Sequence, residues 1–141
     1  MDNTPRTKSG VRTRPLGALT DSMRSAVSKV PAFSKAQSPA SYVGRSGVRH
    51  TFTLGASDQD GSPEFVCDVK LSDVPLDETD VLAFFIKVYD VGAKASTLCA
   101  SPGFGAEAKK LAAVYRISLV EGSSEEDLGV ELATLLSLGS P

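Results

Sequence analysis

In the stretch EFVCDVKLSD, residues 64–73, a carboxylate and an ammonium stand two residues apart, at Asp68 and Lys70. The apolar alternation of this stretch reads as a β-strand, and on a strand side chains two apart share a face. Phe65, Cys67, Val69 and Leu71 then point one way, and Val66, Asp68 and Lys70 the other. The pair is either part of an active site or the solvent side of an ordinary strand, where it would contribute roughly a few tenths of a kcal/mol. A second constellation precedes it: Arg45, Arg49 and His50 cluster around Gly44 and Gly47 and are candidate phosphate contacts. The plainer reading of His50 is as a surface or packing residue. The loop lacks the glycine–lysine–hydroxyl pattern of a nucleotide P-loop and a following helix. A single histidine and no CxxC pair argue against zinc, and nothing supports a Ser- or Cys-based triad.

The elements that must position these residues are legible from periodicity. Leu16, Leu19, Met23, Ala26, Val27 and Val30 fall near one face of a short helix that Pro31 ends. The segment VRHTFTLGA, the turn SDQDGSP and EFVCDVKL predict an antiparallel hairpin. Asp77, Glu78 and Asp80 crowd the first turn of a helix with Val81, Phe84, Phe85 and Val88 on its stripe and Gly92 at its end. KASTLCAS is a buried strand carrying Cys99, and PGFG leads into a helix with Ala108, Leu111, Ala112 and Tyr115 inward. ISLVEG is a third strand, and Ser123-x-x-Glu126 is a capping box opening a helix faced by Leu128, Leu132, Leu135 and Leu136. Strand–helix–strand–helix–strand implies parallel strands, so the fold class is α/β, a mixed sheet of an antiparallel hairpin plus parallel strands, flanked by helices.

Charge divides the 141 residues unevenly. Residues 1–50 hold nine Lys/Arg against two acids, net +7, whereas residues 51–141 hold six against fifteen, net −9. The expected organisation is a basic arm with a short helix over residues 1–40, partly disordered alone, and an α/β domain over 41–141. A basic arm calls for an anionic partner, nucleic acid or the acidic face of another protein. No apolar run is long enough to span a bilayer and no apolar stretch follows the N-terminal basic residues, so an intracellular protein without membrane contact is expected. Cys67 and Cys99, both within apolar stretches, read as small buried hydrophobes.

The ordered set FVCDVK, a helix ending in DVGA, a strand, SPGFGAEAKKLA and ISLVEG resembles the C-terminal half of Mrr-type restriction endonuclease domains, within the PD-(D/E)xK nuclease superfamily. Asp68, Lys70, Gly92, Ala93, Ser101, Gly103, Phe104, Ala108 and Ala112 occupy the matching places, and the resemblance spans residues 44–122. It implies a restriction-endonuclease-like sheet and metal-assisted phosphodiester hydrolysis, in which two carboxylates hold Mg²⁺ against the scissile phosphate and a lysine steadies the nucleophile. Asp68 would be a catalytic metal ligand and Lys70 the catalytic lysine. The family's first acid, on the preceding strand, falls at or next to Thr53, which is neutral. Asp58 and Asp60 sit in the turn, and Glu64, on the Asp68 face of the strand, is the candidate to replace that first acid as a metal ligand beside Asp68.

Two functions follow. The first is a nuclease-fold domain without a clear first acid, serving as a non-catalytic or altered binding and assembly module with nucleic acid, a protein complex or a second copy of itself. The alternative is an active Mg²⁺-dependent DNA endonuclease or resolvase-like phosphodiesterase.

Overall fold

Apolar periods of two and of 3.6 residues become strands and helices in the computed structural model, which describes residues 13–31 and 36–138. The basic side chains of Arg6, Lys8 and Arg12 lie outside the described residues. Strand β1 (Thr13–Pro15) and helix α1 (Asp21–Val27) come first, followed by β2 (Ala36–Gln37), β3 (Ala40–Val43), β4 (Arg49–Phe52), β5 (Leu54–Ser57) and the ten-residue β6 (Pro63–Ser72). Then α2 (Glu78–Val91), β7 (Ala95–Ser101), α3 (Ala106–Val114), β8 (Ser118–Glu121) and α4 (Glu125–Leu138) alternate.

The helix boundaries have local causes. Asp77 accepts the N–H groups of Thr79 and Asp80, and the Asp80 carboxylate accepts the N–H of Asp77, a reciprocal box that satisfies otherwise orphaned donors of α2. Gly92 ends the helix at φ 73°, in the left-handed region. The cap of α4 forms one residue later than the Ser123/Glu126 spacing suggests. Ser124 Oγ accepts the N–H of Asp127, and Asp127 in turn accepts the N–H and O–H of Ser123.

The main sheet is mixed, as its sequence pattern predicts. Strands run β2-β5-β6-β7-β8, with β5–β6 antiparallel and β6–β7 and β7–β8 parallel. β3 and β4 form a separate antiparallel pair. The expected single strand VRHTFTLGA is therefore split at Thr53, with β4 on one sheet and β5 on the other.

Alternation along β6 divides the core. Val66 joins Phe52, Leu98 and Ala100 beneath α2 and α3, while Cys67 and Val69 join Leu54, Cys99 and Val120 beneath α1 and α4. Fully burying each Val, Leu or Phe stabilises the fold by about 1.5–3 kcal/mol. Helix α1, expected within the basic arm, buries Met23 and Val27 completely against the core of α4. Gly129 allows that approach, because a Cβ there would lie 3.0 Å from Met23 Cα. Among the described residues no helix is long and apolar enough to cross a membrane.

Candidate functional site

Strand β6 puts Asp68 and Lys70 on the face beneath α2, so the side for which the sequence left open a solvent-facing reading is covered. Asp68 is only 8% exposed. A buried carboxylate must be paired or hydrogen-bonded, and both its oxygens are engaged. Oδ1 accepts the N–H of Thr53 at 3.0 Å, and Oδ2 accepts the ammonium of Lys87 at 2.6 Å. Lys87 reaches down from α2, also donates to the carbonyl of Thr51 at 2.9 Å, and lies 4.5 Å from the centroid of the Phe52 ring. Two hydrogen-bonded oxygens and an aromatic face thus hold one cation.

Thr53 has a structural task at the place where the resemblance puts the first acid. β1 and β5 lie along the same edge of β6, pairing with Lys70–Ser72 and Pro63–Cys67 respectively, which leaves a gap at Asp68 and Val69. Thr53 Oγ1 accepts the N–H of Val69 at 3.1 Å and donates to the carbonyl of Leu16 at 2.6 Å, while the N–H of Leu16 donates to the carbonyl of Val69. Ser38 Oγ donates to the carbonyl of Thr53 at 2.5 Å. Thr53, 1% exposed, splices two short strands onto a long one, and its backbone and side chain are fully used.

The remaining candidates do not converge on Asp68. Lys70 lies 3.9 Å from Asp80, a residue already committed to capping α2. Glu64 is four residues from Asp68, roughly 13 Å along a strand, and its exposed carboxylate pairs with Lys94 at 3.8 Å. Mg²⁺ requires near-octahedral oxygens at about 2.0–2.1 Å. One carboxylate closed by an ammonium does not fit that requirement, and among the described residues no group of three or more His, Cys, Asp or Glu could hold a metal.

Arg45, Arg49 and His50 lie on the β3–β4 hairpin, two of them against the end of α2. The anchor is Asp90, an acid in the last helical turn, where the macrodipole disfavours negative charge. Its carboxylate accepts Ser46 Oγ at 2.6 Å, the N–H of Ser46 at 3.0 Å and His50 Nε2 at 2.8 Å. These bonds, Ser46 first and His50 next, hold the Asp90 carboxyl below the usual carboxylate range. Ser46 bonds to Asp90 and not to His50, so the three do not form a nucleophilic relay. The Arg45 guanidinium lies 5.1 Å from the centroid of the Tyr89 ring, and Arg49 is exposed.

At the ends of the parallel strands, Glu121 accepts the N–H of Phe104 at 2.9 Å and pairs with Lys109 at 3.5 Å. A Cβ at Gly103, φ 144°, would lie 2.5 Å from that carboxylate. On the opposite face Cys67 and Cys99 are free thiols with sulfurs 3.6 Å apart. The bond to Cys99 and burial push the Cys67 thiol well up from its ordinary range.

Sequence reasoning did not find Lys87 or Asp90. Lys87 carried one signal, a cation at the margin of an otherwise apolar stripe between Phe84 and Val88.

No protein-family model matches the chain, and no curated protein does. Among solved structures the chain is similar to that of AF1548, a protein of unknown function, with a TM-score of 0.57 and 17% identity over 82% of this chain and 67% of the other. At that identity the likeness concerns the fold alone.

Proposed function

We propose that this chain is a nuclease-like fold in which the metal-binding strand has become a structural ion pair, and that it works as a non-catalytic assembly module within a protein or nucleoprotein complex. The observation that carries this reading is the Asp68–Lys87 contact at 2.6 Å. An ammonium stands where a hydrolytic site of this kind needs a divalent cation, and the neutral Thr53 spends its hydroxyl on the sheet. The charge distribution supports a protein partner over direct grip on DNA. Residues 51–141 are net −9, and His50 is bonded to an acid. The two free buried thiols fit an intracellular, reducing setting.

Calorimetric titration with Mg²⁺ and with Mn²⁺, wild type against Asp68→Ala, tests the reading. The expected result is no saturable binding in either protein and no cleavage of supercoiled, linear or single-stranded DNA. Metal bound by the wild type and lost in Asp68→Ala, with a nicking activity abolished by Lys70→Ala, overturns it in favour of an Mg²⁺-dependent endonuclease or resolvase-like phosphodiesterase.

A further inference from the structure

We propose that helix α2 forms the centre of a two-fold interface between two copies of this chain. Its buried stripe is Val81, Phe84 and Val88. At about 100° per residue, Glu78, Leu82, Ile86 and Tyr89 fall on a second face, turned roughly 120° from the first. Leu82 is 38% exposed, and Ile86 and Tyr89 are each 63% exposed. Val114, exposed at the end of α3, adjoins Tyr115, which stacks on Phe85 of α2 at 4.1 Å. Single exposed apolar residues are ordinary, but an aligned row with a neighbour marks an interaction surface.

The ends of the row identify the occupant. Glu78 is an exposed acid at the helix N-terminus, and Arg45 is held over Tyr89 and beside Gly92 at the C-terminus. Neither has an ion-pair partner among the described residues. A two-fold axis between Phe85 and Ile86 leaves Leu82 and Tyr89 each about 5 Å from the axis along the helix. Glu78 is then about 11 Å away on one side and Gly92, with Arg45, about 10 Å away on the other. Antiparallel pairing of two copies therefore sets Leu82 against the partner's Tyr89 and Glu78 against the partner's Arg45. Self-complementarity of this kind is what an isologous dimer requires. Asp68 and Lys87 lie on the other flank of α2, so the dimer and the metal question can fail separately.

Sedimentation equilibrium of the full chain from micromolar to submillimolar concentration is the test. A reversible dimer is expected, with Ile86→Asp raising its dissociation constant at least about tenfold and leaving the circular dichroism spectrum unchanged. Arg45→Glu should weaken the dimer, and Arg45→Glu combined with Glu78→Arg should restore it, a readout that does not depend on how Ile86→Asp folds. A monomer throughout, a dimer indifferent to Ile86→Asp, or a charge reversal that fails to restore association overturns the proposal.

Discussion

At the scale of single residues, Thr53 explains why a neutral side chain stands at the end of β4. A carboxylate there would lack the hydroxyl proton that satisfies Leu16 and would place a second buried negative charge beside Asp68. Thr53→Val keeps the volume but leaves the N–H of Val69 and the carbonyl of Leu16 without this partner. The expected loss is about 2–6 kcal/mol, from two polar groups at about 1–3 kcal/mol each in buried surroundings. Urea unfolding should show it as a lower midpoint at unchanged slope; a change under about 0.5 kcal/mol would mean that the splice is held by other bonds.

At the scale of elements, one acid of α2, Asp90, gathers three hydrogen bonds from the β3–β4 hairpin. The Asp90 carboxyl is held below its ordinary value by Ser46 and His50. A depressed carboxyl contributes stability that is present above its unfolded pKa, about 3.9, and is lost as pH falls through the folded value. The wild type should therefore lose stability below about pH 4 more steeply than Asp90→Asn, and the variant should be the less stable of the two at neutral pH. Denaturant midpoints measured from pH 6 to pH 2 check this; parallel curves would remove Asp90 as the anchor. Lys87, one turn earlier on the same helix, acts similarly by tying α2 to both Thr51 and Asp68. A helix that reads as merely amphipathic thus joins both sheets.

At the scale of the whole molecule, the basic N-terminal region and the acidic remainder are not separate in packing. Leu19, Met23 and Val27 enter the same cluster as Leu128 and Leu132, and β1 extends the sheet along β6. Deleting residues 1–30 removes four buried apolar side chains, Leu19, Met23, Val27 and Val30, worth about 1.5–3 kcal/mol each, against a total stability of about 5–15 kcal/mol for a typical domain. The truncated chain is expected to lose its cooperative thermal transition. A melting temperature within a few degrees of the full chain would show instead that the two parts fold independently.

Much of this architecture was written in local pattern. Alternation along residues 64–71 determined which residues of β6 share a face, and 3.6-residue spacing determined the buried stripes of α2, α3 and α4, because both follow from backbone geometry alone. Asp77 and Gly92 likewise marked the ends of α2 through capping chemistry that acts within a few residues. What local pattern did not determine was what would cover each face and which charges would meet. Asp68 and Lys70 are neighbours on one strand, yet Asp68 pairs with Lys87, nineteen residues on, because α2 folds back over β6 and lowers its lysine onto the buried carboxylate. Thr53, Leu16 and Val69 were distant in sequence and were joined only when two short strands came to share one edge. Local periods are properties of the chain; the partners of a buried charge are decided by which surfaces the tertiary structure closes against each other.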